Sequence, residues 1–167
     1  MEIVNKVAQS GLITIDLEEL YVPGDRVLFD IKEWLFEELV LKEKIFRDKL
    51  KEFDWSQYSE KFVAISCSVD AIVPTWAFML IATHLKPFAK KIIFGNLQKL
   101  EEEIFEEEIS KLNADDFRDK KIVIKGCSKI EVPVSAYVSL TSLLQPVAKS
   151  IMYGEPCSTV PVFKRKE

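Results

Sequence analysis

Three Cys-Ser pairs are the residues of this sequence with the clearest capacity for chemistry. They are Cys67-Ser68, Cys127-Ser128 and Cys157-Ser158, and each is followed by a Val-Pro at Val73-Pro74, Val132-Pro133 and Val160-Pro161. A thiolate binds metal ions or attacks electrophiles, and a nearby helix N-terminus favours this form by lowering the thiol pKa. The pattern predicts that Cys67, Cys127 and Cys157 together hold a metal, a cluster or sulfur, with zinc or iron as the candidate metals.

The same cysteines also have a purely structural interpretation. Cysteine is among the most buried residue types, and the spacing lacks the CxxC-like pair of standard zinc and iron-sulfur sites. A metal site would need a fourth ligand, and Asp70 and Glu155 are the nearest acidic candidates. His84 is a poor ligand because it lies about 15 Å along its predicted helix from the loop. Both interpretations of the thiols stay open.

A second chemistry is anion binding by Ser68, Asp70 and Ser128, assisted by backbone N-H groups at two helix starts. The alternative is that these side chains cap loops and helices. The sequence has no GxGxxG and no GxxxxGK[ST] motif, and its one histidine gives little support for a Cys-His pair or a serine triad. We therefore predict no catalytic residue and favour a binding protein over an enzyme.

An internal repeat supplies the elements that would position these residues. Residues 61–95 recur at 120–154 with a constant offset of 59. The identical pairs in that alignment include Val73/Val132, Pro74/Pro133, Ala77/Ala136, Leu85/Leu144, Pro87/Pro146, Ala89/Ala148, Lys90/Lys149, Ile92/Ile151 and Gly95/Gly154. Weaker matches extend the copies to about 45–95 and 104–154, which predicts a duplication.

Each copy reads as a buried strand, a loop, a helix that begins at a proline, and a short strand. Alternation of this kind predicts an α/β fold with three layers, in which a largely parallel sheet has helices on both faces. We expect one domain over residues 1–167. Residues 1–44 would be an N-terminal extension packed on the sheet, and residues 155–167 a C-terminal loop and tail. Residues 26–31 suggest a strand, which residues 32–40 could continue as a helix.

Composition narrows the choice of partners. The chain has 167 residues, 23 Lys and Arg against 27 Asp and Glu, and a formal charge of −4 without a basic stripe, so nucleic acid is not expected. No stretch resembles a signal peptide or is long enough to span a bilayer, so we expect a cytoplasmic protein without a membrane partner. The apolar helix around residues 76–81 predicts burial against the sheet and a second subunit, and hence a homodimer.

Three runs of sequence resemble an uncharacterised bacterial family, domain of unknown function 2480. They are DWSQYSEKFVAISCSVDAIVPTWAFML, VPVSAYVSLTSLLQPV and KSIMYGEPCSTVPVFKRK. The resemblance implies partners in sulfur or iron-sulfur metabolism, which suits the three cysteines. The first hypothesis is thus a thiolate-based binding accessory in iron-sulfur assembly. Its alternatives are a pseudo-symmetric, dimeric interaction module with structural cysteines, and a small-anion enzyme acting at the helix starts.

Overall fold

Strands and helices alternate along most of the chain, as the sequence predicts. The computed structural model describes residues 4–7, 11–126, 129–155 and 157–167, which form a mixed α/β protein. The strands in that part of the chain are β1 (Val4–Val7), β2 (Leu12–Asp16), β3 (Arg26–Asp30), β4 (Phe62–Ser66), β5 (Lys91–Phe94), β6 (Lys121–Lys125), β7 (Ser150–Glu155) and β8 (Ser158–Lys164). The α-helices there are α1 (Glu43–Glu52), α2 (Thr75–Leu85), α3 (Leu97–Ser110) and α4 (Val134–Leu144).

The strands form two sheets, which corrects the expectation of one largely parallel sheet. One sheet has the order β1-β2-β6-β7-β8, and the other has the order β3-β4-β5. The pairs β2/β6, β6/β7, β3/β4 and β4/β5 are parallel, whereas β1 and β8 pair antiparallel with their neighbours. The physical reason is that two strands near the N-terminus, β2 and β3, each pair with a different central strand.

The central strand of each sheet is buried on both faces. Val63, Ala64 and Ile65 of β4 are at most 3% exposed, and Ile122, Val123 and Ile124 of β6 are equally buried. Successive residues of a strand point to opposite faces of its sheet, so three consecutive buried residues require cover on both sides. The continuous apolar runs predicted this arrangement correctly.

The chain divides into two compact units, each with its own sheet and apolar core. The terminal unit comprises Met1–Val22 and Glu102–Glu167, and the middle unit comprises Pro23–Glu101. In the terminal unit, Ile15, Ile122 and Leu140 belong to a core that α3 and α4 share with the five-stranded sheet. In the middle unit, Phe46 and Ile81 belong to a core in which the Trp34 and Trp55 rings stack 5.8 Å apart.

Two boundary regions differ from the sequence interpretation. Residues 158–164, expected as part of a loop, form β8 and close a hairpin with β7. Within residues 1–44, β1 and β2 belong to one sheet and β3 to the other. The segment from Arg26 is a strand to Asp30 and then a 3-10 helix over Ile31–Trp34. Glycine and proline made residues 154–161 look like a loop, but an edge strand tolerates both.

Elements of the two units recur at the offset of 59 seen in the sequence. Helix α2 corresponds to α4, strand β4 to β6, and the 3-10 helix Trp55–Tyr58 to Ala114–Phe117. Glu60 and Asp119 occupy equivalent positions, and both have a positive φ, of 61° and 60°, that is unusual for such residues. Their N-H groups donate to Phe88 O at 3.0 Å and Val147 O at 2.8 Å, which are also 59 residues apart.

Candidate functional site

Two of the three predicted thiols, Cys67 and Cys157, lie in the part of the chain that the structure describes. Cys67 follows β4 in the middle unit, and Cys157 lies in the turn between β7 and β8 of the terminal unit. Both are free thiols. Cys127 and Ser128 lie outside the described residues. The convergence of Cys67, Cys127 and Cys157 therefore stays a prediction from the sequence.

Cys67 has the environment of a structural cysteine. Its side chain is partly buried and packs against the core of the middle unit. Its Sγ donates to the carbonyl oxygen of Val69 at 3.3 Å, which closes the loop after β4. Cys157, in contrast, is exposed at the tip of its hairpin. Accessibility favours reaction of Cys157 over Cys67 with any soluble electrophile.

Charged side chains meet at the carboxyl ends of three neighbouring strands in the terminal unit. Lys125 Nζ at the end of β6 lies 3.5 Å from Glu155 Oε2 at the end of β7, and 4.0 Å from Asp16 Oδ2 at the end of β2. Ligands collect at this edge of open α/β sheets. Glu155, predicted as a supporting residue, is therefore in an ion pair. Lys125 and Asp16 were not predicted, because strand pairing alone brings them together.

Protein carboxylates hold the loops that were candidates for anion binding. In the terminal unit, Glu18 Oε1 accepts from the backbone N-H groups of Lys129 at 2.9 Å and Ile130 at 3.2 Å. The hydrogen bond from Lys129, followed by that from Ile130, lowers the pKa of Glu18. These donors are thus already bound to an anion that belongs to the chain.

The middle unit has a similar arrangement around Asp30. Asp30 Oδ1 accepts from the N-H groups of Lys32 at 3.0 Å and Ser68 at 3.2 Å. Burial would raise the pKa of Asp30, but the hydrogen bonds from Ser68 and Lys32 outweigh it and lower the pKa. Ser68 and Asp70 are exposed. The contacts of Ser68 support its role in shaping the loop, which was the alternative to anion binding.

The exposed face of α4 is a feature that the sequence interpretation missed, and its charged neighbour there, Glu106, accepts from the Ser139 hydroxyl at 2.6 Å. The 11 residues Val134–Leu144 include no charged side chain, yet Val134 is 75% exposed and Val138 is 61% exposed. Beside them, an apolar cavity of about 370 Å³ opens between α4 and the β7–β8 hairpin. The cavity is lined by Ile124, Val134, Tyr137, Thr141, Ile151, Met152, Tyr153 and Val162. We call these residues and Val138 the α4 face.

Aromatic packing and hydrogen bonds fix the wall of this cavity. The Tyr137 and Tyr153 rings meet edge to face with centroids 5.8 Å apart. The Tyr137 hydroxyl donates to Gly126 O at 2.9 Å, and the Thr141 hydroxyl donates to Tyr137 O at 2.7 Å. Two of the three hydroxyl groups that line the cavity are thus used within the chain. The absence of charge between Pro133 and Pro146 is the sequence signal that could have indicated this surface.

The middle unit has a counterpart of the α4 face on α2 and β5. Phe78 and Phe94 stand where the terminal unit has Tyr137 and Tyr153, and their rings meet edge to face at 5.1 Å. Met79, the equivalent of Val138, is 64% exposed. In the predicted dimer surface at residues 76–81, Ala77 and Ile81 are buried and Trp76, Phe78 and Leu80 are partly exposed, so the homodimer stays a prediction. Trp76 packs on Phe46, and Ile81 is fully buried.

In residues 4–7, 11–126, 129–155 and 157–167, no three His, Cys, Asp or Glu side chains are grouped closely enough to hold a metal ion. None of the helices in this part of the chain is sufficiently long and apolar to cross a lipid bilayer.

Fold and surface together define a mixed α/β protein with two sheet-containing units and an exposed, partly apolar helix face. Residues 1–165 match the family described as Protein of unknown function (DUF2480), and the chain belongs to that family. The resemblance noted in the sequence is thereby confirmed. Searches of curated proteins and of solved structures gave no significant match.

Proposed function

We propose that this protein is a non-catalytic interaction module that binds another polypeptide through the α4 face. One observation carries the proposal: an uncharged helix exposes Val134 and Val138 beside an apolar cavity of about 370 Å³. Four of the 11 residues of α4 are serine or threonine, so its exposed apolar surface is the part around Val134 and Val138. Burial of an exposed valine contributes about 1.5–3 kcal/mol, so a partner that covers this surface gains substantially.

The polar groups around the cavity favour a protein side chain over a small polar ligand. Small-molecule sites combine apolar walls with a few polar groups that orient the ligand. Here the hydroxyl groups of Tyr137 and Thr141 already donate within the chain. Binding hot spots of protein partners, in contrast, are mostly aromatic and arginine side chains that fill desolvated pockets, and an aromatic side chain suits this apolar cavity.

Photo-crosslinking in cells that express the protein tests this proposal. A photoreactive amino acid placed at Val138 should give a covalent adduct of discrete mass. The same amino acid at Asp116, an exposed residue of the same unit, should give little. The absence of any polypeptide adduct from position 138 would contradict the proposal.

Within this proposal, the two copies of the repeat descend from an internal duplication of about 45–95 and 104–154. The recurrence of elements and of left-handed residues at an offset of 59 supports it. We further propose that the fold is three-layered and that the protein acts in the cytoplasm, without nucleic acid. Cys67 then serves as a packing residue, which its contacts with the core of the middle unit support.

A thiolate site is the second candidate function. We propose Cys127 and Cys157, joined by Cys67, as ligands for zinc, iron or sulfur, in an accessory role in iron-sulfur assembly. The supporting observation is that Cys127 and Cys157 each come two residues after Lys125 and Glu155, which form an ion pair. Asp70 and Glu155 are the candidate acidic ligands in this proposal.

Metal and persulfide analysis of protein purified without oxygen tests the second candidate. Bound metal or persulfide should fall on substitution of Cys127→Ser or Cys157→Ser, whereas a substitution at an unrelated exposed position, Ser56→Ala, should leave it unchanged. Metal-free and persulfide-free protein, with all three Cys→Ser variants functional in cells, would contradict the thiolate site.

A further inference from the structure

We propose that the partner of the α4 face is the α4 face of a second copy of this chain, related by a twofold axis that runs the two helices antiparallel. The inference rests on the proposed function, because it names the polypeptide that the surface binds. Three features of the terminal unit support it: the shape of the face, the charges at its two ends and the protected edge strand beside it.

The face carries a ridge and a groove side by side. Val134 and Val138 are one helical turn apart and form an apolar ridge on α4. The cavity next to this ridge lies between α4 and β8, over the part of the sheet formed by Ile151 and Tyr153. A twofold axis places the ridge of each copy in the groove of the other. Such a self-complementary patch is the requirement for an isologous dimer interface.

The two ends of the groove have opposite charge. At the end where α4 begins, Glu155 and Asp16 share the single cation of Lys125, and Glu131 precedes the helix close to Lys129. The three carboxylates outnumber the two lysines, which leaves this end acidic. At the other end, Lys164 ends β8 opposite Ser150 and Lys149 is exposed beside it, whereas the Arg165 guanidinium is paired with Asp119 at 2.6 Å. When the two α4 helices run antiparallel, the acidic end of each copy lies against the basic end of the other. These two contacts, one at each end of the interface, are its rims. Their opposite charges steer and orient association.

The edge of the sheet beside the groove is poorly suited to strand addition. Strand β8 is the edge strand, and Pro161 within it has no N-H to donate. A β-bulge between β7 and β8 places Pro161 and Val162 opposite Met152. The proline and the β-bulge both hinder hydrogen bonding of β8 to another strand. The second copy is therefore expected to dock on the face of α4 and not on the edge of β8.

Sedimentation of the purified full chain tests the inference through two charge reversals. The wild-type protein should be a dimer at micromolar concentration. Glu131→Lys and Lys164→Glu should each weaken association about tenfold, because each places like charges at both rims. An equimolar mixture of the two variants should recover the wild-type dissociation constant, since both rims of the mixed dimer regain opposite charges. High salt should reduce all three differences.

A matched pair of apolar substitutions localises the interface. Val138→Glu should weaken association on the order of a hundredfold, because the twofold axis buries two copies of this residue. Met79→Glu, at the equivalent exposed position of α2, should leave association unchanged. Circular dichroism of both variants should match that of the wild type.

Failure of the homodimer inference can be distinguished from failure of the proposed function. A monomeric wild-type chain at all concentrations, an equal effect of Met79→Glu and Val138→Glu, or no recovery in the mixture would overturn the inference. If the crosslink from position 138 then has a mass other than twice the 19.2 kDa chain, the α4 face binds a different protein and the proposed function stands. Without any crosslink, the proposed function falls as well.

Discussion

Single carboxylates hold the loops at the carboxyl ends of the sheets. Glu18 binds the N-H groups of Lys129 and Ile130 across 111 and 112 residues of sequence, and Asp30 binds that of Ser68. Spacing along the chain gave no indication of these contacts, because they join residues that only the fold brings together. The sequence left two roles open for Ser68, Asp70 and Ser128, namely binding of an external anion and capping of loops and helices. Protein carboxylates occupy the loop N-H donors in both units.

Substitution of Glu18→Gln should lower the melting temperature at pH 7. The pKa of Glu18 is lowered in the folded chain, so its ionised form stabilises the fold above the ordinary carboxylate range, and this contribution is lost as the pH falls through the lowered pKa. The difference from wild type should therefore vanish as the pH drops well below about 4. Thermal denaturation followed by circular dichroism between pH 7 and pH 3 measures it.

Glu19→Gln is the matched control, because Glu19 is the exposed neighbour on the same 3-10 helix. It should leave the melting temperature unchanged across this pH range. A Glu18→Gln variant as stable as wild type at pH 7 would show that the negative charge on this acceptor contributes nothing, because the glutamine amide oxygen can still accept both N-H groups.

At the scale of elements, the sequence predicted most helices and the parallel strands but missed the edge strands β1 and β8. Val-Pro pairs before α2 and α4 marked both helix starts, since Pro74 and Pro133 stand immediately before the first helical residue. The hairpin was hidden because Gly154 and Pro161 are typical of loops. In the structure, Gly154 has a φ of 117°, which glycine adopts without strain, and Pro161 stands on an edge strand.

Gly154→Ala should destabilise the protein by about 1–3 kcal/mol. A Cβ at this position would meet the Ser158 carbonyl oxygen at 2.7 Å, in addition to the strain of a positive φ. Gly11→Ala provides the control, because Gly11 also has a positive φ but has open space around it. Urea denaturation measures both variants. Equal losses of stability in the two variants would contradict the account of the β7–β8 hairpin.

At the scale of the molecule, the alternation of strands and helices indicated the fold class but not the sheet to which each strand belongs. Elements from β4 to β7 occur in the predicted order, yet β4 and β6 are the centres of different sheets. A strand-helix order constrains crossovers without specifying partners, so β2 and β3 could not be assigned. The α4 face was missed because exposure depends on which side of α4 the sheet and α3 cover.

The prediction of a single domain has a direct thermodynamic consequence. The boundary between the two units falls inside α3, between Glu101 and Glu102. Since a helix propagates cooperatively, loss of one unit should fray the other. Differential scanning calorimetry should then give one transition whose calorimetric and van't Hoff enthalpies agree. Two separable transitions would show that the terminal and middle units are independent domains.

The central claim is that the terminal unit binds its partner through α4, while the equivalent surface of the middle unit does not. The most direct measurement compares photo-crosslinks in the cell from the same reactive amino acid at Val138 and at Met79, two exposed residues in equivalent positions. We predict a strong adduct of discrete mass from position 138 and a weak one from position 79. Equal yields at the two positions, or no adduct from position 138, would contradict the claim.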